Sequence, residues 1–380
     1  MRLRFGTPQY LAVAAALKTL KVPYNGEFPT KMIGDKPAEE QELLFRNWLD
    51  ADVVPLMARA MATSEDPLTG QIAHWCQAYV TIAEAALNAL RQDVSILATR
   101  MQESKASVLV FKSLDLADNI WPSIAINATA AELLVQPPES GLFCSLLREL
   151  GYREATLNRS QGTLDETPNS SRDRDFGDIK IPTFRRLVRA KQLDHLAQEL
   201  GFEYHLPHCL YIGTAAYLVL SIDAYFTVLA GVSIPQIWEH RRRIQVLNTL
   251  CSAQDPSDMV WSLAAVCYHD IMLDIQQPWH IRRFLDVLAV VYRFRTELEW
   301  DRIVAIAKQY GVGPPLYYVL THVSALLGAD ETLRPDIERL TPTLPNTVRR
   351  RDWGDFLPRL FNAPSTLVAL SLEQPFVGPQ

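Results

Sequence analysis

The chain has few of the features that give a function away quickly. Its 380 residues hold five cysteines, Cys76, Cys144, Cys209, Cys251 and Cys267. No two of them share a C-x-x-C spacing, so they read as reduced, partly buried thiols of a cytosolic protein rather than as a metal or disulfide framework. A basic excess is missing too. Lysine and arginine number 37 against 43 acids, a net charge of -6, and the pI is about 5.8. That argues against a dedicated nucleic-acid binder. No run reaches the ~18 uncharged apolar residues of a membrane span. The N-terminus, MRLRFGTPQYLAVAAALKTLKV, starts basic and apolar like a signal peptide. However, Pro8, Gln9 and Tyr10 interrupt it and Lys18 and Lys21 end it early, which predicts a helix of the mature domain. No serine sits in a nucleophile-elbow glycine pattern, so no Ser-His-Asp triad is expected. Internal repeats are not evident.

What is present is ordinary globular material, 48% hydrophobic and 21% charged, long enough for two or three domains. Glu39 to Met61 carries Leu43, Leu44, Trp48, Val54, Leu56 and Met57 as an apolar helical stripe, with a break at Pro55. Gln71 to Glu103 is a longer helix with Ile72, Trp75, Tyr79, Ile82, Ala86, Leu90, Val94, Leu97 and Met101 on one face. The pattern then changes. Val108 to Phe111 is an apolar run suited to a buried strand. Leu114 to Ile120 reads as a short helix ended by Trp121-Pro122. Glu132 to Val135 is a second strand, followed by the turn residues Pro137 and Pro138. Ser140 to Gly151 reads as a helix closed by glycine.

Residues 158–178 are polar and rich in Ser, Asp and Arg, which predicts a mobile surface loop. Arg185 to Gly201 shows helical spacing. Tyr217 to Val228 reads as a strand with a central acid, Asp223. From Ile234 to about Leu327 the chain is expected to be helical, and its tail irregular. The fold class is therefore α+β and predominantly helical, with a small mixed sheet flanked by helical regions. The expected divisions are 1–104, 105–232 and 233–380, the middle one carrying the sheet and the mobile loop.

The middle region raises a specific chemistry. Metal-assisted nucleotidyl transfer needs carboxylates that hold one or two Mg²⁺ ions. Two acids spaced i, i+2 on a strand share a face, and a third comes from a neighbouring strand. The segments VLVFKSLDLADNIWP, AAELLVQP and LLRELGYR, in that order, resemble the uncharacterised nucleotidyltransferase family of bacteria. That family's pattern is a strand ending in Lys-Gly, a helix closing on an aromatic-Pro pair, Asp-x-Asp-Leu-Leu-Val, then a helix ending in Leu-Gly-Tyr. His205-Leu206-Pro207, LSIDAYFTV, RRFLDVLAVV, LEWDRIVAIAKQYGV, PLYYVLTHVSALLGA and NWLDADVVPLMARAM are similar to it as well. The resemblance implies a nucleotidyltransferase fold over most of the chain.

The departures bear on activity. The family's Lys-Gly is Lys112-Ser113 here, and Ser113 adds a Cβ where close backbone approach to phosphate would be needed. The Asp-x-Asp is Ala130-Ala131-Glu132. The arginine that precedes it is absent. Only Asp223 stands where the third carboxylate belongs, and Tyr225 replaces the family's partner histidine. The resemblance thus assigns catalytic positions to Asp223, Glu132 and Lys112, phosphate contact to Lys112 and Ser113, and weak metal binding at most to Glu132 and Asp223. The leading expectation is a degenerate metal centre with the ancestral activity lost and the cleft put to other use. By resemblance, members accompany bacterial clusters making peptides and other specialised metabolites. The expected partner is a small-molecule or peptide intermediate or a biosynthetic enzyme, in the cytoplasm, with no nucleic acid, membrane or cofactor. One alternative is an active nucleotidyltransferase using Mg²⁺ and a nucleoside triphosphate through Glu132, Asp223 and Lys112. Another is a non-catalytic helical scaffold.

Other polar groups are read as structural. His205, His208 and Cys209 lack the remote ligands of a zinc site. His269, Asp270 and His280 could do acid–base work, but satisfied histidines account for them. Arg241 to Arg243 and Arg349 to Arg351 could meet an anion, though a solvated helix face or helix end explains both runs.

Overall fold

The computed structural model describes residues 8–22, 28, 30–64, 70–121, 130–166, 180–201, 206–228, 235–273, 280–327 and 330–340. His205 and Arg349 to Arg351 lie outside them. The chain forms two compact units. One joins Met1–His74 to Pro256–Gln380, and the other is Trp75–Asp255.

The first unit opens with α1 (Pro8–Thr19), α2 (Thr30–Gly34), α3 (Ala38–Asp50) and α4 (Val54–Ala62). Every residue from Leu11 to Leu17 is buried. A helix that is apolar all round belongs inside a core, and this explains its likeness to a signal segment. Pro55 sits in the first turn of α4, where its missing N–H breaks no helical bond.

The second unit is built around a sheet. It takes most of α5 (Gln71–Glu103), whose expected stripe is buried at Tyr79, Ile82, Ala86, Leu90, Val94, Leu97 and Met101. Strand β1 (Val108–Phe111), the one-turn helix α6 (Ser113–Asp115) and a π-turn at Leu116–Ile120 follow. Next come β2 (Ala131–Val135), α7 (Ser140–Glu149), β3 (Arg153–Asn158), β4 (Thr163–Glu166), β5 (Phe184–Arg189), α8 (Asp194–Gly201), β6 (Cys209–Ile212) and β7 (Ala215–Tyr225). A one-turn helix α9 (Pro235–Glu239) leads to β8 (Arg242–Val246) and β9 (Thr249–Ala253). The strand order is β4-β3-β5-β7-β2-β1-β9-β8, with β6 also on β7. The β2/β7 and β1/β9 pairs are parallel and the others antiparallel. The sheet is mixed and the fold α+β, as expected.

Two expectations are corrected. Arg185 to Gly201 is not one helix: its first part is β5, which β7 pairs along six positions, and only Asp194–Gly201 is helical. The expected helix from Ile234 is interrupted by the β8–β9 hairpin. Here Ile244 and Val246 alternate with Arg243 and Gln245, the former buried and the latter exposed. That period-2 signal is short, and the arginine run hides it. Pairing with a neighbour decides such stretches, because a strand's backbone groups are satisfied only by another strand. In the polar segment 158–178, β4 pairs with β3 over Thr163–Glu166, and residues 167–179 lie outside the described set.

The rest of the first unit is α10 (Pro256–Leu273), α11 (His280–Phe294), α12 (Trp300–Tyr310), α13 (Gly313–Leu327) and α14 (Asp330–Glu338). Helix α10 packs on α11, α12 and α13, while α1 packs on α4 and α11. The Arg282 guanidinium ties α11 to the loop before α4, donating to the Asp52 carbonyl at 3.2 Å and to Asp286 at 2.9 Å. No helix among the described residues is long and apolar enough to cross a membrane.

Candidate functional site

Strand register assembles the site. Side chains alternate across a sheet, so directly paired residues share a face. Glu132 of β2 pairs with Asp223 of the parallel β7, and Phe111 of β1 pairs with Glu132. The two expected carboxylates therefore stand side by side on one face. Ser221, two residues before Asp223, pairs with Arg185 of β5, which adds a guanidinium to the same face. The opposite face is covered differently. Arg186 donates to Asp93 of α5 at 2.6 Å and to the Leu150 carbonyl after α7 at 2.7 Å. Tyr152 donates to the same Asp93 oxygen at 2.7 Å. Burial raises the Asp93 carboxyl above the usual range, and these donors oppose the shift.

Each carboxylate has its own ammonium. Lys112 Nζ lies 3.5 Å from Glu132 Oε1, and Lys180 Nζ lies 2.8 Å from Asp223 Oδ1. Thr183 donates its hydroxyl to Asp223 Oδ1 at 2.5 Å. Tyr225 stands between the two cations, its ring centroid 5.7 Å from Lys112 Nζ and 5.1 Å from Lys180 Nζ. The Phe111 ring meets Tyr225 edge-on at 6.0 Å and holds Lys112 at 4.5 Å. Both ammoniums thus pack on aromatic faces while pairing with carboxylates, and all four charged groups are partly buried. Burial lowers the Arg185 guanidinium pKa and the Asp223 charge counters it.

Local conformation explains the Lys112-Ser113 step. Lys112 has φ +50°, which L-residues avoid and glycine takes freely. Ser113 donates its hydroxyl to the Ala130 carbonyl at 2.5 Å, tying the start of α6 to β2. The serine is thereby engaged with the protein itself.

The donor set can be weighed against a metal clamp. Position 130, two residues before Glu132 on the approach to β2, is alanine. The two carboxylates that remain are each neutralised by lysine. Among the described residues no group of three or more His, Cys, Asp and Glu side chains could hold a metal ion. The residues present do not fit a two-metal centre, whose bridging acid is lacking.

The other sequence candidates do not join this site. His208 is fully buried edge-on to Tyr79, with neither ring nitrogen hydrogen-bonded among the described residues, and burial pushes its pKa down to about 3. Burial pushes the Cys209 thiol up to about 11. His269 and Asp270 belong to the first unit, where His269 is exposed and Asp270 pairs with Arg283. Sequence reasoning missed Lys180, Thr183 and Arg185. Their spacing in IKIPTFRR has no motif, and the antiparallel approach of β5 to β7, extended by the Lys180–Tyr225 bridge, brings them to Asp223.

No curated protein and no solved structure matches the chain significantly. A family model does, along residues 37–328, and its description is uncharacterised nucleotidyltransferase. That span takes in α3 and α4, the whole sheet and helices α10 to α13, and the chain belongs to the uncharacterised nucleotidyltransferase family.

Proposed function

We propose that this protein keeps the nucleotidyltransferase fold but works its cleft through lysine–carboxylate pairs instead of a metal clamp. It serves in the cytoplasm in a bacterial pathway that makes a specialised metabolite or peptide. The ligand is a small-molecule or peptide intermediate, or the surface of a biosynthetic enzyme. The observation that carries the reading is the double ion pair, Lys112 on Glu132 and Lys180 on Asp223. In a metal-dependent relative a divalent ion neutralises the carboxylates. Here two fixed ammoniums do so, leaving neither carboxylate a bare ligand.

The chemistry open to such a pair is proton transfer and electrostatic stabilisation. An ammonium can donate to a developing oxyanion, and the adjacent carboxylate can accept a proton from the same substrate. Thr183 and Tyr225 fix the two cation–anion pairs, so little reorganisation is needed when substrate arrives. Cyclisation or another metal-free rearrangement of a carbonyl compound suits this set.

One observation favours a second reading, an active Mg²⁺-dependent nucleotidyltransferase. Glu132 and Asp223 are register partners, close enough for both to reach one cation. Calorimetry of the purified protein with ATP or GTP and Mg²⁺ separates the two readings. The expected result is no nucleotide binding that depends on Glu132 or Asp223. Binding that disappears in both Glu132→Ala and Asp223→Ala would overturn the proposal in favour of the second reading.

A further inference from the structure

The arginine run at 241–243 is split by the strand it enters. Arg242 turns to one side of β8 and makes two 2.6 Å bonds to the buried Asp115 carboxylate. Arg241 and Arg243, two residues apart, turn to the other side. There they line a pocket of about 390 Å³ with Lys105, Gln102, Ala106, Ser107, Val108, Leu250 and Ser252. Three of these nine residues are cationic and none is acidic. Among the described residues, no carboxylate pairs with any of the three cations. The Arg243 guanidinium reaches only the Ser252 hydroxyl, at 3.4 Å, and Arg241 donates to the Trp238 carbonyl. The Glu139 carboxylate takes the Ser107 N–H, both oxygens at 3.2 Å, without lining the pocket.

We infer that this pocket binds an anionic small molecule, with Arg241, Arg243 and Lys105 holding a phosphate-like group. Guanidinium forks match tetrahedral phosphate oxygens, and Arg241 and Arg243 line the same pocket. The volume falls within the usual range of small-molecule sites, about 300–1,000 Å³, and exceeds what one phosphate fills. The remaining wall is mixed, apolar at Ala106, Val108 and Leu250 and polar at Gln102, Ser107 and Ser252. Leu250, 51% exposed, offers the largest apolar side chain of that wall. The ligand class is therefore a phosphorylated or pyrophosphorylated compound whose remaining body meets both polar and apolar side chains.

The site is separate from the lysine–carboxylate cleft. Val108 and Lys112 bound opposite ends of β1, ~13 Å apart at about 3.3 Å per residue. It does not depend on the function proposed for that cleft, and the experiment keeps the two apart. Inorganic pyrophosphate is titrated into the full chain by calorimetry, with folding checked by circular dichroism. The expected result is one site per chain, at least tenfold weaker in Arg243→Ala and in Arg241→Ala. Lys105 has φ +58°, so Lys105→Asn, which tolerates that backbone, supplies a third variant without added strain and weakens binding likewise. Unchanged affinity in Lys112→Ala supports the assignment. No binding to wild type, wild-type affinity in all three pocket variants, or binding lost only in Lys112→Ala would overturn it.

Discussion

Asp223 is the residue on which most of the site's contacts meet. Thr183, Lys180 and its neighbour Glu132 all bear on one carboxylate. Its charge, rather than its size, is what Lys180 needs. Asp223→Asn keeps the Thr183 hydrogen bond and removes the charge. The pair is partly open to solvent, so the stability change should stay within about 1 kcal/mol in urea unfolding. Cellular function should nevertheless be lost. Full function in this variant would mean the cleft is idle. The sequence pointed to Asp223 and Glu132 through their neighbours in the chain. Lys180 and Thr183 were not legible, because they come from a segment whose only claim on the site is strand register.

At the scale of elements, β8 shows what a tertiary partner adds. Its basic run looks like a solvated helix face until Arg242 is seen to enter the protein and meet Asp115. Burial raises the Asp115 carboxyl, and the Arg242 charge opposes that shift. Removing one partner of a buried pair leaves the other charge uncompensated, at a cost of about 3–5 kcal/mol. Arg242→Ala should lower stability by that amount, read as a shift in the urea midpoint at unchanged slope. The double variant Asp115→Leu, Arg242→Met should recover most of it, since two apolar groups leave no charge behind. Long helices were legible as elements for the opposite reason. The stripe of α5 repeats over 33 residues, and repetition outweighs local ambiguity. β5 and β8 are only six and five residues long.

Among the described residues, each unit carries one buried, uncharged histidine. His208 lies in the sheet unit with its pKa down to about 3, and His322 in the helical unit with its pKa down to about 4. Burial is the main cause in both. Unfolded, each would titrate near 6.5. Between that value and the folded ones, the unfolded chain binds more protons, so stability falls as pH falls. Each histidine contributes a slope of up to about 1.4 kcal/mol per pH unit in that window. Urea unfolding at pH 7 and pH 5 should show both units weakened at the lower pH. His322→Phe should flatten the response of the helical unit alone. An equal response in wild type and variant would show that His322 is not buried and neutral.

The sequence by itself determined the helices with long apolar stripes, the two central strands, the α+β class and the likeness to one family. These are set by periodicity and by local order along the chain, which survive without knowledge of neighbours. Tertiary structure alone decided which charges meet. Lys180 reaches Asp223 across 43 positions, Arg242 reaches Asp115 across 127, and Lys105 joins Arg241 and Arg243 around one pocket. Coulombic and hydrogen-bond contacts depend on distance in space, which falls off over a few ångströms. Strand pairing sets that distance, and no spacing in the sequence encodes it.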